Sequence, residues 1–181
     1  MKKTIATFAA ALAAVTLADR AQAQSIIPLA VEARASAAVP MGDFKDFEGG
    51  IGTGYGFGVN GELKLNPLFG VYGGYSWTGY DFEEGDERLE QQGIDAGVRV
   101  GLGLLPLRPY ARGGIVYHKL DDGHDHGNER KLGYEVGAGL SFPLGAVISV
   151  TPEVSYTRIG EALEGQDVSA LRLGVGLRAA L

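Results

Sequence analysis

The chain of 181 residues has no cysteine, which excludes disulfide staples, thiol nucleophiles and thiolate metal sites together. Long apolar runs are missing too. Thr4 to Ala18 is the longest at about 15 residues, short of the ~20 that a membrane-spanning helix needs. Any passage through a bilayer must therefore use strands closed into a barrel. Positive charge is in deficit, with 16 Lys+Arg against 22 Asp+Glu. No basic face of the kind that binds a phosphate backbone is present, so no nucleic-acid partner is expected. Histidine occurs only three times, all between His118 and His126.

What the chain does have begins at the N-terminus. Met1-Lys2-Lys3 is a short basic start, the apolar run follows, and Ala21-Gln22-Ala23 fits a small-x-small cleavage site. Residues 1–23 are expected to be a cleavable signal peptide and residues 24–181 the mature domain. Cleavage leaves 158 residues with a net charge near −8.

Glycine, 29 of 181, is more than twice its usual share of about 7%. It lies within eight segments that alternate with period two: Val31 to Val39, Gly52 to Leu65, Phe69 to Asp81, Gly93 to Leu105, Pro109 to Lys119, Lys131 to Phe142, Val147 to Ile159 and Val168 to Leu181. One face of each is aliphatic or aromatic. The other carries glycine, hydroxyls and charge. The connectors alternate in length. Asn66-Pro67-Leu68, Pro106-Leu107 and Pro143-Leu144-Gly145 are tight turns, whereas 40–51, 82–92, 121–130 and 160–167 are longer and polar. This pattern predicts an all-β chain: a single antiparallel up-and-down eight-stranded transmembrane β-barrel preceded by a signal peptide.

Aromatic placement follows the same scheme. Phe69 and Phe142 fall low on the apolar face, and Tyr75, Trp77, Tyr117, Tyr134 and Tyr156 high, as two interfacial girdles would require. The polar face sets Arg34, Lys64, Arg99, Arg112, Arg172 and Arg178 against Glu32, Glu62, Asp95, Glu135 and Glu153. So near a balance predicts a mutually neutralising lumen network and a plugged barrel, since buried ions must be paired. Counting from the turn at Asn66 puts Tyr80 near Gly54 and Tyr72 near Glu62, so aromatic rings would cover inward glycines. The alternative is that the column Gly52, Gly54, Gly56 and Gly58 opens a vestibule.

Other motifs have plainer readings. Gly56-Phe57-Gly58-Val59-Asn60-Gly61 matches a dinucleotide fingerprint but lies inside a strand, where that fingerprint does not operate. His118, His124 and His126, beside Asp121, Asp122 and Asp125, form a weak candidate for a divalent metal; a solvated polar loop is the simpler account, and no cofactor is expected. Asp95 and His118 fall on adjacent strands and are expected to pair in the lumen. The outer loops gather acid at Asp43, Asp46 and Glu48, at Glu83, Glu84, Asp86, Glu87 and Glu90, and at Glu161, Glu164 and Asp167. Ser76, Thr78 and Thr157 are the hydroxyls near His118, without a motif linking them, so no catalytic residues are assigned and no enzyme is expected.

Met1-Lys2-Lys3-Thr4, the eight runs, and Gly54-Tyr55-Gly56-Phe57-Gly58 leading to Leu65-Asn66-Pro67 resemble the small outer-membrane β-barrel family typified by the transmembrane domain of outer-membrane protein A. The likeness spans the mature chain and lies in pattern. It implies residence in the outer membrane of a Gram-negative-type bacterium, contact with outer-membrane lipid and lipopolysaccharide, and recognition of the last strand by the assembly machinery. Such barrels usually end in an aromatic residue; here Leu181 takes that place. The loops carry no adhesion motif that would identify a partner. Two functions are consistent with these features: a structural or surface-interaction barrel, and a narrow, gated porin-like channel for small solutes. A soluble lipocalin-like barrel would need the apolar faces turned inward.

Overall fold

The computed structural model describes residues 28–45, 50–82, 88–102, 107–121, 130–163 and 166–181. The expected signal peptide, His124 and His126, and most of the acidic loop residues lie outside them. Eight antiparallel strands close in sequence order: β1 (Leu29–Met41), β2 (Gly54–Lys64), β3 (Phe69–Asp81), β4 (Arg88–Gly101), β5 (Arg108–Asp121), β6 (Arg130–Pro143), β7 (Ile148–Leu163) and β8 (Gln166–Ala180). The last strand closes on the first, with Glu32 opposite Arg178 and Ala38 opposite Arg172. A short 3-10 helix, Gly42–Phe44, follows β1. The turn after β2 is pinned by Asn66, whose Oδ1 accepts from the Leu68 and Phe69 amides at 2.9 and 2.8 Å.

The strand faces settle the choice between membrane and soluble barrel. Val59, Ile94, Ile115, Leu132, Val136, Leu173, Val175 and Leu177 are exposed on the outside, a continuous apolar band that only hydrocarbon would leave uncovered at low cost. The lumen side is polar. Glu32, Asn60, Glu62, Asp95, Arg112, Glu135, Glu153, Arg172 and Arg178 are all buried there.

Strand limits differ from the sequence expectation at the outer end. β4 begins at Arg88 rather than Gly93, and β7 and β8 run to Leu163 and from Gln166, so most of the expected loop at 160–167 is strand. The cause is an inversion of polarity above the upper girdle. There the outward side chains turn polar (Asp81, Arg88, Glu90, Lys119, Arg158), and the inward ones turn apolar: Tyr80, Leu89, Leu120, Ile159, Val168 and Ala170 are buried together. Phe44, carried by the 3-10 helix, packs edge-on to Tyr80 with ring centroids 5.2 Å apart, and Ile51 joins them. The outer end is thus built like a small soluble core, polar outside and apolar within. Each large side chain fully buried there is worth about 1.5–3 kcal/mol.

Candidate functional site: the lumen

Below this apolar cap the lumen side chains form linked ionic and aromatic layers. Glu32 on β1 joins Arg34, its neighbour two residues on, to Arg99 on β4, the latter at 3.0 Å. Arg99 also approaches Glu62 at 3.4 Å, and Glu62 accepts from Arg178 on β8 at 2.7 Å. Across the barrel Arg34 donates to Glu153 at 2.6 Å, and the Tyr110 hydroxyl donates to the same carboxylate at 2.9 Å. Higher up, Glu135 takes Arg112 from the adjacent strand and Arg172 at 3.6 Å, while the Thr157 hydroxyl donates to it at 3.4 Å. With Arg112 also 3.8 Å from Glu153, every lumen glutamate among the described residues meets two guanidiniums. A buried carboxylate needs such partners, because an unpaired one carries its whole desolvation cost.

The aromatic rings complete the filling. Arg99 lies 3.5 Å from the Tyr110 ring centroid and Arg112 lies 4.3 Å from that of Tyr72. Tyr72 needs glycine beneath it. Gly97 and Gly114 face each other across β4 and β5, and a Cβ on either would come within 2.7 or 2.8 Å of the Tyr72 hydroxyl oxygen. Gly139 bears the same relation to Tyr110, at 2.6 Å, and Gly54 to Tyr80. Four inward glycines thus lie under tyrosine rings, Gly54 of the column that a vestibule would use among them, whereas Gly56 and Gly58 of that column face Thr78 and Ser76. A central cavity of about 30 Å³ is left between Arg34, Asn60, Arg112, Glu135 and Arg172, room for a water or two.

His118 sits at the top of this network with almost no exposure. Tyr80 donates its hydroxyl proton to Gln91 Oε1 at 3.3 Å, Gln91 Nε2 donates to His118 Nδ1 at 2.8 Å, and His118 Nε2 faces Asp95 Oδ1 at 2.6 Å. Donors in series place the ring proton on Nε2. Ser76 Oγ lies 3.3 Å from that same Nε2. A hydrolytic triad needs the serine and the acid on opposite ring nitrogens, so these three residues do not form a nucleophile relay. Both ring nitrogens of His118 are thus engaged inside the lumen, while His124 and His126, the other members of the metal candidate, lie outside the described residues.

Lys64 stands at the turn end of the lumen, where it lines one cavity with Glu62, Arg99 and Arg178 and makes no ion pair among the described residues. Alternation gives a residue's face, and its partner depends on height as well.

On the outside, Phe69 and Phe142 lie low, near the tight turns. High on the wall, the Tyr75 hydroxyl donates to Gln92 Oε1 at 2.6 Å and Trp77 Nε1 to Glu90 Oε2 at 3.3 Å. Tyr134 and Tyr156 lie 6.3 Å apart, and Arg130 lies over Tyr117 at 5.8 Å. Residues 7–178 match the family model described as the outer membrane protein beta-barrel domain. The chain belongs to that family. This outer-membrane barrel is 35% identical over 118 residues to the 25 kDa outer-membrane immunogenic protein of Brucella ovis, a match covering 61% of this chain and 55% of the relative. The match thus spans little more than half of that relative's length. Among solved structures, Neisserial surface protein A superposes with a TM-score of 0.67 at 17% identity, covering 83% of this chain and 96% of that one. Ail, the attachment invasion locus protein of Yersinia pestis, gives 0.52 at 20%, covering 84% and 97%. At such identities the likeness is one of fold.

Two groups in this outer-membrane barrel were missed by sequence reasoning. Phe57 stacks on Trp77 at 5.6 Å and, with exposed Tyr55, extends the upper girdle; both were visible as high, outward aromatics of the second run. The apolar cap is the other. Its signal is an isolated apolar residue between charges, as in Arg88-Leu89-Glu90, Lys119-Leu120-Asp121 and Arg158-Ile159, where the alternation changes phase.

Proposed function

We propose that this outer-membrane barrel is closed along its axis and serves the envelope structurally and as a surface-interaction protein, its outer end displaying loops to the exterior. The observation that carries this reading is the filled cross-section: paired Arg and Glu layers around a central space of about 30 Å³, under an apolar seal. A hydrated ion crossing it would have to break several buried ion pairs in sequence. The similar outer-membrane protein named for immunogenicity supports a surface role. The experiment is single-channel recording of the purified barrel in planar bilayers. No steady conductance is expected; a stable ohmic level would overturn closure and favour the narrow, gated channel.

The same reading covers export and assembly. The basic start, apolar run and Ala21-Gln22-Ala23 support signal cleavage after Ala23, and the intact mass of protein extracted from outer membranes is expected to correspond to a chain beginning at Gln24. A mass retaining residues 1–23 would refute that cleavage. Strand β8, which closes the barrel against β1, is the segment offered to the assembly machinery, and the apolar band meets outer-membrane lipid and lipopolysaccharide.

A further inference from the structure

The lumen charges balance through most of the barrel and cease to balance at its periplasmic mouth. Lys64 at the end of β2, Arg99 on β4, Arg108 at the start of β5 and Arg178 on β8 line one open cavity of about 110 Å³. Glu62 is the only carboxylate among its lining residues, and it is already engaged by Arg99 and Arg178. Lys64 and Arg108 have no ion pair among the described residues. Besides partial burial, Lys64 experiences the like charges of Arg178, Arg108 and Arg99, offset in part by Glu62. Arg178 is 8% exposed, and its buried Nε has no hydrogen-bond partner.

Like charges gathered in a half-enclosed cleft repel one another unless an anion joins them, and such a cleft concentrates anions from solution. Small side chains keep the space open: Ser141 and Ser149 stand on the wall and offer hydroxyls. Guanidinium and ammonium groups brought to one cavity by β2, β4, β5 and β8 suit an oxyanion with several acceptor oxygens better than a planar carboxylate. We propose that the periplasmic mouth is a binding site for a phosphate-class oxyanion, with Lys64 and Arg108 as its principal electrostatic contacts. Occupancy from the periplasm does not require passage through the lumen, so the site stands whether or not the barrel conducts.

The test uses the whole barrel in zwitterionic detergent, with inorganic phosphate and pyrophosphate as probes in isothermal titration calorimetry at low ionic strength. Saturable binding is expected, tighter for pyrophosphate and weakened by added salt. The double variant Lys64→Gln/Arg108→Gln is expected to bind about tenfold more weakly, equivalent to about 1.4 kcal/mol, with its heat-modifiable gel shift intact; Lys64→Arg should retain binding. Repeating the titration in nanodiscs separates two sources of the anion. Loss of pyrophosphate binding in phosphatidylglycerol discs, compared with phosphatidylcholine discs, assigns the site to a lipid headgroup, and equal binding assigns it to a soluble anion. No saturable binding of either probe, or unchanged affinity in the folded double variant, overturns the proposal.

Discussion

Glu135→Ala is expected to destabilise the folded barrel by about 3–5 kcal/mol, the usual cost of removing one partner from a buried charged cluster. Glu135 is buried, joins Arg112 to Arg172 and accepts the Thr157 hydroxyl. Its loss would leave Arg172 without a carboxylate within 4 Å among the described residues and Arg112 with Glu153 alone, at 3.8 Å. Urea unfolding in detergent, followed by the gel shift between folded and unfolded bands, measures the effect. An exposed pair provides the control. Arg158 and Asp167 form an ion pair on the outer wall with side chains 49% and 35% exposed, and Arg158→Ala should leave the urea midpoint close to that of the wild type. Stability near wild type in Glu135→Ala, together with the appearance of steady conductance, would show that the network acts as a gate instead of a strut.

Tyr72→Ala is the second large change. The ring fills the lumen over Gly97 and Gly114 and presents its face to Arg112. Truncation should cost about 3–5 kcal/mol, in the range of large-aromatic deletions from packed interiors. A compensating side chain is not available nearby: a Cβ at Gly97 or Gly114 would press on the carbonyl oxygen of the facing strand whether or not the tyrosine is present. The same unfolding assay applies, and a loss below about 1 kcal/mol would mean that water fills the space as well as the ring does. Tyr72→Phe separates packing from polarity: it keeps the ring over the glycines, so most of the stability should return.

Much of this architecture was legible in the sequence because a strand in a barrel has one binary choice per residue. Period-two alternation, the two classes of connector and the glycine column gave eight strands, their order and the face of each side chain. The register from the Asn66 turn was enough to bring Tyr72 opposite Glu62, which the pairing of β2 with β3 contains, and adjacency of β4 and β5 was enough to bring Asp95 towards His118. Legibility stopped where a third coordinate was needed. Arg34 with Glu153 and Arg178 with Glu62 join strands that are not neighbours, and those pairings depend on side-chain reach across the lumen. Lys64 shares the face of the network and a cavity with Glu62, Arg99 and Arg178, yet forms no ion pair among the described residues. At the outer end the alternation continued but changed phase, so Arg88 to Gln92 had the composition of a loop while forming the start of β4.

The inverted outer end has a consequence for how the molecule responds to temperature. Strands within the bilayer hold their apolar side against hydrocarbon, whereas Phe44, Tyr80, Leu89, Leu120 and Ile159 are gathered away from water. Burial from water carries a heat-capacity change, and its contribution weakens on cooling. Opening of the cap should therefore have a curved temperature dependence of its own, and in the cold the seal over the lumen relaxes before the ionic layers beneath it do.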